Sequence, residues 1–258
     1  KGCRIGVLGA GSSAFDNAIA AIDHGSAQVD LFSRRNTITR EPFYTWARFS
    51  GFLNSYIDLP DAHKWELCGK FLDMGDPPFD KTVDRAERKS QFTMHLAEDW
   101  VDIQQIGNEI SILTETGSRY TFDKILLGTG TVMDMSAASE LRSLLPHIAL
   151  WKDKYHDDER DIRGKYPYLG AGMELQEREQ GCAPYLNSIY VQTPACMLSG
   201  GFHGIGLSGI KYGSKCVVNA LVRQLFLENY NSLKDEFDAI FHQAVLTRQK
   251  SGLMNTKN

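Results

Sequence analysis

The feature that most constrains this chain is a glycine turn near its start. Gly9, Gly11 and Ala14 stand in G-x-G-x-x-A spacing directly after the apolar run Ile5-Gly-Val-Leu. Ser13 to His24 then reads as a helix with Ala14, Ala18, Ala21 and Ile22 on one face. Gly25 is placed to end that helix, and Gln28 to Phe32 reads as a second strand. Strand, glycine turn, helix and strand in this order form a dinucleotide-binding unit. Gly9 permits the tight turn, Gly11 has no Cβ to hold a pyrophosphate off the backbone, and Ala14 lets the helix pack close to the strand. Ala10, Ser12 and Ser13 complete the turn, where the helix N-terminus offers N–H groups and a positive dipole end to phosphate.

The end of the second strand selects the nucleotide. An NAD site usually has a carboxylate there for the ribose 2′-OH. Here the chain reads Phe32-Ser33-Arg34-Arg35. Two guanidinium groups beside Ser33 suit a 2′-phosphate, and no carboxylate repels it, so the expected dinucleotide is NADP(H). The competing reading is a glycine-rich turn with a surface arginine pair.

Composition narrows the setting. A length of 258 residues accommodates one large domain or two small ones, with 42% hydrophobic and 23% charged residues as in ordinary soluble proteins. The net charge of −4 gives no reason to expect a nucleic-acid partner. Apolar runs are too short for a membrane span, and no signal peptide precedes the first strand, so a cytoplasmic protein is expected. Cys3, Cys68, Cys182, Cys196 and Cys216 are scattered, without C-x-x-C or zinc spacing. They read as reduced, mostly buried thiols, and no metal centre is expected. His156 with Asp157 and Asp158 is a poor candidate, because adjacent residues do not converge on one point.

Residues 36–99 interrupt the pattern with an aromatic, mostly helical insertion containing Phe43, Tyr44, Trp46, Phe49, Phe52, Tyr56 and Trp65. Asp61 after Pro60 suggests a helix cap, and Met74-Gly-Asp-Pro-Pro-Phe a break. The insertion would be either a wall over a pocket for an apolar or aromatic small molecule, or a unit with its own small core. Strands follow at Trp100-Val-Asp-Ile, Ile110-Ser-Ile-Leu-Thr and Arg119-Tyr-Thr-Phe. Ile125-Leu-Leu then enters Gly128-Thr129-Gly130, the carboxyl end of a strand and thus a ligand position in an open α/β sheet.

Ser136 to Leu145 reads as helix, Lys152 to Lys165 as a solvated charged segment, and Asn187-Ser-Ile-Tyr-Val-Gln as a strand. Six glycines between Gly200 and Gly213 then lead into a helix with Val217, Val218, Leu221, Val222, Leu225 and Phe226 on one face. Its start, near Leu207 and Ser208, is a second candidate cofactor site. The same glycines would equally serve close packing of the helix. His203 in that loop could face a flavin or be an ordinary loop histidine. A last helix, about Ser232 to Leu246, reads as packing only.

Four stretches together resemble the FAD- and NADPH-dependent flavoprotein monooxygenases, the broad group of flavin-containing, Baeyer–Villiger and N-hydroxylating enzymes. They are VLGAGSSAFDNA with SRR, FDKILLGTG, PYLNSIYVQ and GFHGIGLSGIKYGSKCVVNAL. FDKILLGTG is similar to the family's D-x-x-x-x-A-T-G strand, with Gly128 where alanine is commoner. The resemblance implies an α/β chain. Residues 1–130 would be a Rossmann-like NADP(H) domain with the insertion at 36–99, and residues 131–258 the closing part of an FAD-binding fold. It also implies an oxidoreductase that passes hydride from NADPH to FAD, which then activates O₂; cofactors carry such chemistry, so catalytic side chains need not be visible. The family's FAD domain opens, upstream of the NADPH unit, with its own strand and G-x-G-x-x-G, and no strand-led motif of that kind precedes Gly9 here. An upstream FAD-binding segment or partner chain is therefore expected to complete the flavin site. The alternative is a non-catalytic NADP(H)-binding module that senses cofactor or engages a partner chain.

Overall fold

The structure is a computed structural model that describes residues 2–40, 43–155 and 160–254, with only the backbone for 43–44 and 248–254. It divides into two compact units, one of residues 1–145 and 150–166, the other of 146–149 and 167–258. The first unit thus runs past Gly130, the boundary expected from the sequence.

In the first unit, β1 (Arg4–Leu8), α1 (Ser12–Asp23) and β2 (Gln28–Ser33) form the strand–turn–helix–strand unit. Gly25, at φ +93°, terminates α1 as expected. The connection that follows holds α2 (Ser50–Ser55), α3 (Asp61–Met74) and α4 (Asp80–Glu87). Asp61 is the first helical residue of α3 rather than its cap, the cap position falling to Pro60, whose missing N–H costs nothing there. The helical stretch ends earlier than expected. Phe92–Leu96 is β3, and it pairs parallel to β2 with Phe32 opposite His95. A buried parallel edge beside β2 outweighs the mixed polar character of Phe-Thr-Met-His-Leu.

β4 (Trp100–Ile106), β5 (Glu109–Thr114) and β6 (Arg119–Phe122) make an antiparallel sheet, and β7 (Lys124–Leu127) returns to the first one. The parallel sheet has the order β3-β2-β1-β7. On one of its faces Val7, Val29 and Leu31 bury against Ala14, Phe15, Ala18 and Ile22 of α1 and Val83 and Ala86 of α4. On the other, Phe32 packs with Ile112 and Phe122. Burial of these side chains contributes roughly 1.5–3 kcal/mol for each large one.

The aromatic residues of the connection have their own core. Phe52 packs on Trp46, Tyr56 and Phe71, and Trp65 lies against Trp151 and Tyr155. α5 (Trp151–Lys154) opens the segment read as solvated, yet Arg163 is only partly exposed. Its guanidinium carbon lies 4.3 Å from the Trp65 ring centroid, and Nη1 donates to Trp65 O at 2.9 Å. His156, Asp157 and Asp158 lie outside the described residues.

Two sequence expectations fail here for local reasons. Residues 136–145 form no α-helix: Asp134 accepts from Ser136 N and starts a single tight turn at Met135–Ala137, with another at Ser139–Leu141. In the second unit, Pro184 opens a tight helical turn through Ser188 that absorbs the first third of the expected strand at 187–192. Only Tyr190 makes a β-bridge there, to Glu174.

α6 (Met197–Gly200), α7 (Gly206–Glu228) and α8 (Tyr230–Met254) complete the second unit. Only Gly209 and Gly213 of α7 are buried, whereas Val218, Leu221, Val222, Leu225 and Phe226 are exposed. The last helix is also unlike its expectation, since Phe237, Ile240, Phe241 and Val245 are exposed rather than packed.

Candidate dinucleotide site

The turn after β1 is shaped by backbone-to-backbone contact. Gly9 has φ +117°, and a Cβ there would overlap Gly128 O. Its N–H donates to Phe32 O at 2.9 Å, while Gly128 N–H donates to Leu8 O at 2.7 Å. A Cβ on Gly128 would lie 2.7 Å from Ala14 Cβ. Gly9, Ala14 and Gly128 therefore work as one set, bringing β1, α1 and the end of β7 together at backbone distance. Ala10 and Gly11 are partly exposed, Ser13 is exposed, and Thr129 and Gly130 lie exposed beyond β7.

At the start of α1, the Ser12 N–H donates to Asp76 O at 2.9 Å and Ser12 Oγ to Pro77 O at 3.0 Å. The break between α3 and α4 thus sits directly on the helix N-terminus. A Cβ on Gly11 would come within 3.1 Å of Asp76 O, so the missing side chain serves this contact. Ser13 lies in the first turn of α1, where backbone N–H groups have no partner within the helix. The Asp76 carboxyl is pushed above its ordinary range by desolvation and then by Asp16, although the residue is exposed overall.

The three residues at the end of β2 diverge. Ser33 is buried, and its Oγ accepts from Arg35 N at 3.1 Å. Arg34 is exposed, and its side chain makes no hydrogen bond or ion pair among the described residues. Arg35, also exposed, donates from Nη2 to Asp73 O at 2.8 Å and from Nη1 to Met74 O at 3.2 Å. A guanidinium at the last carbonyls of α3 is the favourable end of a helix dipole for a cation. The sequence groups Arg34 with Arg35, and the structure separates them. No local signal pointed to Asp73, Met74, Asp76 and Pro77, because their part depends on where the connection lands.

The second candidate site belongs to the other unit. His203 is buried, whereas Leu207 and Ser208 are exposed at the start of α7. A Cβ on Gly209 would overlap Phe202 O, and one on Gly213 would overlap His203 O. These two glycines serve close packing of α7 on the preceding loop. Leu207, at 93% exposure, leaves the first turn of α7 open.

Five cysteines are free, and only Cys68 and Cys196 are buried, each thiol pushed up to about 12 by burial. Among the described residues no group of His, Cys, Asp and Glu could hold a metal ion, and no helix is long and apolar enough to cross a membrane.

No protein-family profile matches the chain. It is 30% identical over 239 residues to an FAD-dependent urate hydroxylase of Xanthomonas campestris pv. campestris, a match covering 92% of this chain and 50% of that protein. Among solved structures it resembles an ornithine hydroxylase from Pseudomonas aeruginosa, with a TM-score of 0.64 and 16% identity over 87% of this chain and 53% of that one. The ornithine N-hydroxylase of Kutzneria sp. 744, solved with reduced FAD, NADP⁺ and L-ornithine, gives a TM-score of 0.62 and 15% identity over 86% and 54% of the two chains. The chain spans about half the length of each relative. In sequence and in fold it resembles the flavoprotein monooxygenases.

Proposed function

We propose that this chain supplies the NADP(H)-binding part of an FAD-dependent monooxygenase acting on a small molecule. The observation that carries this reading is the conjunction of the Gly9–Gly128 contact, which clears the turn at the start of α1, with the uncommitted guanidinium of Arg34 at the end of β2. Pyrophosphate would take N–H groups at the first turn of α1, and the 2′-phosphate would take Arg34. Gly9, Ala10, Gly11, Ser12, Ser13 and Ala14 would line the pyrophosphate side, with Gly128 against the turn and Thr129 and Gly130 following it. Bound FAD would supply the chemistry of hydride acceptance from NADPH and of O₂ activation. The exposed start of α7, at Leu207 and Ser208, suits a flavin contact, and buried His203 would support that loop from within. The similarity to a urate hydroxylase and to N-hydroxylating enzymes supports the reaction class.

Fluorescence titration tests the reading: NADPH should bind tightly and NADH weakly. Absence of NADPH binding would overturn it. NADPH oxidation on adding FAD would favour the enzyme, while binding without turnover under any flavin supply would favour the non-catalytic module.

A further inference from the structure

The two ends of the proposed nucleotide site are joined by one short stretch of chain. Arg35 leaves the end of β2, and its guanidinium donates to the carbonyls of Asp73 and Met74. Gly75 then turns the backbone at φ +71°, its N–H donating to Phe71 O at 3.0 Å. The next two carbonyls, of Asp76 and Pro77, accept from Ser12 N and Ser12 Oγ at the start of α1. Residues 73–77 thus run as a strap from the ribose end of the site to its pyrophosphate end. Pro77 and Pro78 are buried, which anchors the strap beyond its contact with Ser12.

We propose that Arg35 is a positioning residue that holds this strap, and that choice of NADP(H) over NAD(H) rests on Arg34 alone. This builds on the NADP(H) reading of the site. Each α3 carbonyl that Arg35 caps would otherwise lie at an exposed helix end without an intrahelical partner. Drawing the guanidinium away to a phosphate would release Asp73 and Met74, and with them the geometry that holds Ser12. Arg34 has no such commitment. A strap acts on any dinucleotide that uses the turn at α1, with or without a 2′-phosphate. Loss of Arg35 should therefore weaken both nucleotides alike, and loss of Arg34 should weaken only the phosphorylated one.

The test uses Arg34→Ala and Arg35→Ala in the 258-residue chain, with circular dichroism to establish that each folds. Two readouts are taken: dissociation constants for NADPH and NADH, and amide hydrogen exchange of residues 73–76 and Ser12 without nucleotide. Arg34→Ala should weaken NADPH by roughly tenfold to a hundredfold, leaving NADH and the exchange unchanged. Arg35→Ala should weaken both nucleotides by the same factor and speed exchange at Ser12 and across the strap. Should Arg35→Ala not fold, Arg35→Lys replaces it, because an ammonium cannot bridge two carbonyls as the planar fork does. A loss confined to NADPH in the Arg35 variant, or unchanged exchange, or unchanged affinities, overturns the proposal. If wild type binds neither nucleotide, the NADP(H) reading fails and the proposal with it; exchange then decides only whether Arg35 holds the strap.

Discussion

A Cβ placed on Gly128 would lie 2.7 Å from the Cβ of Ala14, so the residue after β7 and the third small residue of the glycine fingerprint share one volume. The monooxygenase resemblance has alanine commoner at position 128, and this chain has glycine there with alanine at position 14. The pair trades a methyl group between strand end and helix.

Gly128→Ala should therefore destabilise the protein by about 1–3 kcal/mol through overpacking. Ala14→Gly alone should cost roughly 0.5–1 kcal/mol as a glycine within a helix. The double variant should be more stable than the sum of the two losses, because the methyl group removed by Ala14→Gly frees the space that Gly128→Ala fills. Urea denaturation of all four proteins measures this coupling, and strict additivity would mean that the two sites do not share the space.

Gly9→Ala is the more severe change. It needs a positive φ and drives a methyl group into a carbonyl of the backbone, which cannot rotate away as a side chain can. We expect a loss of about 3 kcal/mol or more, with nucleotide binding abolished in whatever protein folds. A melting temperature equal to wild type would show that the turn adapts.

Asp30 predicts a pH dependence. The residue is 3% exposed, lies on β2 facing Thr93 and His95 of β3, and accepts from Gln28 Nε2 at 2.8 Å. Burial pushes its carboxyl up, and Gln28, His95 and Thr93 pull it part of the way back. The folded state then holds a proton that the unfolded chain releases from pH near 3.8 upwards. Stability attributable to this group is full below that value and declines as pH rises through the raised pKa. Asp30→Asn removes the group, so its stability relative to wild type should increase from about pH 4 towards neutrality. Urea midpoints at several pH values provide the measurement, and a constant difference between the two proteins would refute the assignment.

Flavin affinity gives a fourth prediction. One glycine fingerprint follows a strand, at Gly9 to Ala14, and β2 after it ends beside Arg34; Gly204, Gly206 and Gly209 repeat the spacing after a tight helical turn rather than a strand. The open first turn of α7 offers FAD few pyrophosphate partners, and each missing charge-assisted bond costs on the order of 1–3 kcal/mol. The chain alone should purify without stoichiometric FAD, and a segment carrying a second strand–turn–helix should restore it. One FAD per chain after gel filtration, read from visible absorbance, would contradict this.

The sequence made β1, α1, β2 and β7 legible because their signals are local: short apolar runs, the spacing of Gly9, Gly11 and Ala14, and Gly25 as a stop. β3 was hidden, since Phe92–Leu96 owes its strand state to the parallel edge of β2 rather than to its own pattern. The exposed apolar face of α8 was misread for the opposite reason: periodicity identifies a face without identifying what lies against it. Arg34 and Arg35 looked equivalent because the sequence does not reveal that the end of α3 arrives beside only one of them.

The placement of β3 alters what the aromatic connection is. Because β3 pairs parallel to β2, residues 34–91 are the crossover of one strand–helix–strand unit, with α4 in the layer beside α1 and α2–α3 as an excursion from it. Crossover excursions are where a fold can lengthen or shorten with least disturbance to its sheet. Here the excursion leaves and returns by way of Arg35 and Ser12, at either end of the nucleotide turn. Exchanging α2–α3 for another excursion would also replace the helix end on which Arg35 rests and shift the carbonyls that hold Ser12, so the glycine turn would register a change made outside the sheet.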